Sequence, residues 1–276
     1  MILLCHRPRI FIGLGIVIIF VSCALLAPWI SPYDPLKVDL RAKYRPPSIE
    51  HPLGTDYVGR DIVSRLIWGT RVSLLTAIPA ICIGTAIGIF LGVTAGYFGG
   101  KTDMLISRMV DIMLALPAFV MAIALMGVLG RGLLNLIIAI GIAMSPRIAR
   151  VVRGAALSVK ENQFVEAARS FGYGDWRIIS RHIIPHTLTP VVVYATLSLG
   201  SAVMIEAGLS FLGLGIAPPT PSWGLMVAEG SSVIRHLPWF STSAGLLILI
   251  LVLGFNLLGD GIRDEIDPRL RGGIKE

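Results

Sequence analysis

Apolar residues collect along this chain in long runs rather than alternating with polar ones. Residues 10–27 carry no charge and begin just after Arg7 and Arg9. Residues 74–100 and 112–130 are likewise free of charged side chains. Residues 132–146 form a shorter run that must borrow Arg147 to Ala149 at its end, where a long arginine side chain snorkels to the interface. Residues 187–205 and 237–259 complete the set. A helix needs about 20 apolar residues to cross the hydrocarbon of a bilayer. The pattern therefore predicts an all-α integral membrane protein with about six transmembrane helices. The first run has the look of a signal peptide, but Pro28-Trp29 follows it rather than a small-residue cleavage site, so an uncleaved span is expected. Residues 207–228 are uncharged too, but Pro218, Pro219 and Pro221 break any continuous helix there, and a loop or half-inserted segment is expected.

Two polar stretches interrupt the runs. Residues 31–71 open with Ser31-Pro32-Tyr33-Asp34-Pro35 and later Pro46-Pro47, which predicts extended, turn-rich backbone followed by a short amphipathic stretch over 62–70. Residues 147–185 are basic and free of proline from Arg147 to Ile184, and so compatible with helix.

Composition agrees with this division. Hydrophobic residues make up 54% of the 276 residues and charged residues 15%, with a mean hydropathy of +0.78. A soluble domain carries about 25% charge, and a disordered chain is poor in apolar residues, so both are excluded. The net charge of +7 is distributed by side. With the N-terminus inside, the inner segments hold Arg7, Arg9, Lys101, Arg108, seven Lys or Arg over 147–181 and four beyond Gly259. The outer segments hold Arg131 and Arg235, apart from the long stretch 31–71, where seven basic residues face five acids. Short loops rich in Lys and Arg stay cytoplasmic, so both termini are expected in the cytoplasm. No basic patch is interleaved with aromatics, and nucleic acid is not an expected partner. Cys5, Cys23 and Cys82 show no CxxC spacing and read as packing residues.

Several motifs imitate catalytic or binding chemistry. Ala95 to Thr102 nearly fits the phosphate-loop pattern, but a span precedes it and alanine stands at the first glycine position. A tight glycine turn with Lys101 at the inner surface is the plainer expectation. His182 and His186 sit four apart as in zinc proteases, without the glutamate between them that the chemistry requires. No G-x-S-x-G elbow and no paired intramembrane aspartates occur. Glu206 and Glu229 lie near membrane boundaries. Charges there are either functional, at an outer face or pathway, or simply wetted at the interface, and the sequence fits both.

The informative stretch is Glu166-Ala167-Ala168-Arg169-Ser170-Phe171-Gly172, followed thirteen residues later by Pro185. Residues 159–171 read as a helix stopped by Gly172 in a left-handed conformation. Asp175 would cap a second helix that runs to Pro185. From the residues alone this pair is either a docking knob on the cytoplasmic face or an amphipathic interfacial pair.

With these residues the chain resembles permease subunits of bacterial ABC importers. Gly54-Thr55-Asp56, Gly59-Arg60-Asp61 and Ser64-Arg65, together with Ser210-Phe211-Leu212-Gly213-Leu214-Gly215, narrow the resemblance to the C-type permeases of the dipeptide, oligopeptide and nickel importers. Gly259-Asp260, Arg263-Asp264 and Asp267-Pro268 continue it, and Ile184 stands where the family commonly has leucine. The resemblance implies a type I importer permease fold in the bacterial inner membrane, paired with a homologous B-type permease. It also implies two cytoplasmic ATPases, which bind ATP and magnesium in place of any cofactor in this chain, and an extracytoplasmic solute-binding protein. Glu166, Ala167, Ala168, Arg169, Phe171, Gly172, Asp175 and Pro185 would form the coupling segment that docks on an ATPase. The chain would then divide into an N-terminal span (1–30), an external segment (31–71), a permease domain (72–260) with its cytoplasmic loop (147–185), and a tail (261–276). The implied substrate is a peptide, with nickel or a metal chelate as the alternative, and the subunit itself would catalyse no reaction.

Overall fold

The computed structural model describes residues 8–266. The expectations resting on Cys5, Arg7, Asp267, Pro268 and the basic residues beyond lie outside them. Ten α-helices run through the described residues: α1 (Pro8–Ile30), α2 (Ile62–Phe98), α3 (Gly100–Leu114), α4 (Ala118–Leu129), α5 (Leu133–Lys160), α6 (Gln163–Ser170), α7 (Asp175–Ile178), α8 (Ile184–Phe211), α9 (Trp223–Ser231) and α10 (Pro238–Ile266). A π-helical turn, Ile179–Ile183, joins α7 to α8, so that helical backbone runs from Asp175 to Phe211. Among the described residues five stretches are long and apolar enough to cross a membrane, and the pair α3–α4 makes a sixth only if its bend is counted within one span.

That bend corrects the third expected span. Proline has no N–H and disfavours helix in the residue before it. Pro117 takes extended backbone (φ −55°, ψ 136°), and α3 and α4 meet there at 89°. Alone, the 12 residues of α4 reach only about 18 Å. Pro146 does the opposite. It is buried inside the 28-residue α5, which runs on to Lys160, past the expected end at Ala149. Membrane helices tolerate proline where neighbours satisfy the freed carbonyl. Residues 62–70 are likewise the first turns of the 37-residue α2 rather than a separate stretch.

Small residues set the packing. On α2, Gly84, Gly88, Gly92 and Gly96 recur every fourth position and face α5. A Cβ there would stand 2.8 Å from the Gly141 carbonyl, 2.6 Å from Ile148, 2.5 Å from the Ala149 carbonyl and 2.8 Å from Ala156. Glycine alone permits this backbone approach, the usual means of joining helices where lipid removes the hydrophobic drive. Gly13, Gly254 and Gly261 join α1 to α10 in the same way.

Buried apolar side chains form two clusters. The larger draws on α1, α2, α4, α5, α8, α9 and α10 and holds Trp223, fully buried against Phe20 at 5.7 Å. The Trp223 indole N–H donates to the Leu66 carbonyl at 2.9 Å, and its ring occupies the space left by Gly69. The smaller gathers Val93, Tyr97, Ile148, Val152 and Ile178 with Val165 and Ala168 of α6.

Candidate functional site

The segment expected to couple, hereafter the coupling segment, is built by two interruptions. α5 ends at Lys160, and Asn162 takes extended backbone (φ −77°, ψ 145°) before α6 begins, so the single helix expected over 159–171 is two pieces. Extended backbone at that position opens a helix but cannot continue one. Gly172 then adopts φ +75°, the left-handed conformation expected of it, and its N–H donates to the Arg169 carbonyl at 2.8 Å. Gly174 precedes α7 as its N-cap residue, so Asp175 is the first helical residue and not the cap. Its carboxylate is engaged elsewhere: the Tyr97 hydroxyl donates to Asp175 Oδ1 at 2.6 Å. Pro185 does not stop the second helix. It occupies the second position of α8, where the wide π turn before it has already interrupted the regular hydrogen-bond ladder.

Burial sorts the segment into a seat and a face. Val165 and Ala168, three apart on α6, turn inward onto the smaller core, so Ala168 seats the helix. Glu166, Ala167, Arg169, Phe171 and Asp175 are exposed, Phe171 at 80%, and so is Trp176, at 78%. Arg169 turns away from Glu166 to lie over the Tyr97 ring, 5.3 Å from its centroid. The Glu166 side chain has no ion-pair or hydrogen-bond partner among the described residues. Phe164 stacks on His186 at 4.8 Å and lies 6.1 Å from His182, which gives both histidines a packing role. Beside Trp176 an apolar cavity of about 620 Å³ opens along Phe90, Val93 and Phe98. At the other turn, Gly99 and Gly100 take φ +67° and +53° between α2 and α3, with Lys101 exposed.

Glu206 and Glu229 both turn into the protein, Glu206 completely and Glu229 for the most part. Glu206 is fully buried and accepts from Ser73 Oγ at 3.0 Å and Ser210 Oγ at 2.8 Å. Glu229 reaches Arg65 Nη1 at 2.7 Å, and the same Nη1 meets Asp56 Oδ2 at 2.6 Å. Arg60 closes the group, with Nε 2.6 Å from Asp56 and Nη2 3.6 Å from Glu229. Burial pulls the Arg60 guanidinium down, and Asp56 and Glu229 more than offset it, so its pKa is raised above the ordinary arginine value. Two cations and two anions thus make a neutral buried cluster between segment 31–61, α2 and α9. Gly59 (φ +83°) allows the turn beneath it to rest on the Asp39 carbonyl. Asp61 caps α2 through Ser64 N at 2.7 Å and meets His51 Nδ1 at 2.9 Å.

Asp56, Arg60 and Arg65 had served as family markers without a role, although the i,i+4 spacing of Asp56 and Arg60 was a visible pairing signal. Tyr97 and Trp176 carried no signal beyond their position beside a turn.

Comparison with known proteins bears on the whole chain. Residues 88–272 match the model of the binding-protein-dependent transport system inner membrane component, and residues 3–47 match the N-terminal transmembrane domain of oligopeptide transport permease C. The chain is 42% identical to the di/tripeptide transport system permease protein DppC of Pseudomonas aeruginosa (strain UCBPP-PA14), over 96% of this chain and 90% of that protein. It is 44% identical to the glutathione transport system permease protein GsiD of Escherichia coli O6:K15:H31 (strain 536 / UPEC), over 93% and 85%. Among solved structures, an inward-facing MetNI methionine ABC transporter is similar in fold, with a TM-score of 0.61 at 22% identity over 74% of this chain and 96% of that one. The expected helical permease fold and the expected family are therefore both found, and the protein is a transport subunit rather than an enzyme. This chain belongs to the binding-protein-dependent transport system inner membrane components, the multi-pass permease subunits of ABC importers.

Proposed function

We propose that this chain forms half of a translocation path for peptides, paired with a homologous B-type permease. Two cytoplasmic ATPases supply the energy and bind ATP and magnesium, and an extracytoplasmic solute-binding protein delivers the cargo. Residues 161–185 dock on one ATPase, and both termini face the cytoplasm of a bacterial inner membrane. The observation that carries this reading is the two-faced coupling segment. Val165 and Ala168 anchor it in the core, while Glu166, Phe171 and Trp176 stand exposed. Large aromatics left exposed on a soluble surface mark partner sites. Glu166 without an internal partner is available for a charge-assisted hydrogen bond. ATP-driven closure of the ATPases would displace this segment and rearrange the spans around the path.

Peptide cargo is favoured over nickel by relatives whose names specify D,D-dipeptides, di- and tripeptides and glutathione. The test is uptake of radiolabelled dipeptide and of nickel-63 by cells whose only source of the permease is this chain, expressed with its partner subunits. Dipeptide uptake abolished by Phe171→Ala with Trp176→Ala, alongside lost ATPase co-purification, is the expected result. Nickel uptake without peptide uptake would overturn the cargo, and unchanged co-purification would overturn the docking site.

A further inference from the structure

The coupling segment rests on the rest of the protein mainly through apolar contacts, which hold a helix without fixing its direction. One contact is different. Tyr97, the penultimate residue of α2, is 4% exposed, and its hydroxyl donates to Asp175 at 2.6 Å. Its ring is held by Arg169 at 5.3 Å on one side and by Phe98 at 5.2 Å, edge-on. Both sides of the Gly172 turn therefore reach the same tyrosine, Arg169 from α6 and Asp175 from α7. A hydrogen bond to a carboxylate is short, directional and about twice as strong as a neutral one. At its other end α2 is gripped as firmly, through Arg65 to Asp56 and Glu229.

We propose that Tyr97 is the positioning residue that passes movement of the coupling turn to α2, through its hydroxyl and Asp175. The proposal rests on residues 161–185 being the ATPase docking segment. A displacement of the turn pulls on the inner end of α2, and the helix delivers it to the external segment and α9. Without the hydroxyl the ATPases still dock and still hydrolyse ATP, but the stroke slips past α2.

The experiment uses the complete importer in proteoliposomes, with ATPases, partner permease and binding protein. Tyr97→Phe keeps the ring and its stacking with Arg169 and removes only the donor. Co-purification of the ATPases and the rate of ATP hydrolysis should stay within two-fold of wild type. Radiolabelled dipeptide carried per ATP hydrolysed should fall about ten-fold, the factor that corresponds to about 1.4 kcal/mol. In Asp175→Ala the dipeptide carried per ATP should fall by the same factor, and the double variant should lose no more of it than either single one. Asp175→Asn, which retains an acceptor oxygen, should lose only about three-fold. Wild-type transport per ATP in Tyr97→Phe would overturn the proposal, as would a double variant about a hundred-fold down. Loss of ATPase co-purification in Tyr97→Phe would also overturn it, by making the tyrosine a shaper of the docking face. Failure of the docking reading is separate: it would show as unchanged co-purification in the Phe171→Ala, Trp176→Ala variant.

Discussion

Glu229→Ala removes one of two anions from a site with two cations. Arg65 is fully buried and its Nη1 is held by Asp56 and Glu229, while Nε and Nη2 have no hydrogen-bond partner among the described residues. Without Glu229, Arg60 and Arg65 both depend on Asp56, and a buried positive charge is left over. Breaking a buried pair in this way costs about 3–5 kcal/mol, whereas an exposed pair would cost about 0–1 kcal/mol. At about 2–4 °C per kcal/mol for a chain of this size, the melting temperature should fall by roughly 6–20 °C. Glu229→Gln keeps an acceptor and should fall by about half as much. Charge balance supplies an internal control. Arg60→Gln removes the surplus cation, so the double variant should be at least about 1 kcal/mol more stable than the two single losses summed. The assay is thermal denaturation of the detergent-solubilised importer, followed by fluorescence-detected size exclusion. A Glu229→Ala protein melting within 2 °C of wild type, or strict additivity with Arg60→Gln, would refute the argument.

Gly172→Val meets no atom within 4 Å of its new Cβ, so its penalty is conformational, about 1–2 kcal/mol at φ +75°. Dipeptide uptake should be abolished at unchanged membrane abundance, and normal uptake would remove Gly172 from the coupling turn. Gly92→Leu should deplete the protein from the membrane, since even a Cβ there stands 2.5 Å from the Ala149 carbonyl, while Gly15→Leu, with nothing within 4 Å, should not. Quantitative blotting of membranes separates the two. In a cysteine-free background, Ser48→Cys should react with an impermeant thiol reagent in whole cells and Ser170→Cys should not. Both positions are exposed, so a reversed pattern would reverse the topology.

Long apolar runs and the left-handed glycine were legible because each depends on residues close in sequence. Gly172 must turn the chain whatever surrounds it. Proline was not legible in the same way: Pro117 opens an 89° bend, while Pro146 lies inside an unbroken helix. Within α5 the Ile142 carbonyl that Pro146 leaves free accepts from the Ser145 hydroxyl at 2.9 Å, whereas leucine, with no donor, precedes Pro117. Asp175 has the composition of a cap, yet its partner Tyr97 is 78 positions away. Glu206 meets Ser73 across 133 positions and Glu229 meets Arg65 across 164. No local pattern predicts such encounters. The recurrence of Gly84, Gly88, Gly92 and Gly96 was in plain view, and its four-residue spacing already describes one face of a helix.

That row of glycines also decides where the protein can flex. Helices joined by long side chains can roll over one another as rotamers shift, but along their glycine row α2 and α5 approach so closely that little of such a bearing lies between them. The two must travel as a single stiff panel. Compliance is left to the joints at its margins: the elbow at residues 115–117, the pair Gly130 and Gly132 with φ of +78° and +151°, and the break at Glu161 and Asn162. A pump jointed in this way concentrates the cost of each stroke in a few peptide units and leaves its packed interior undisturbed from one cycle to the next.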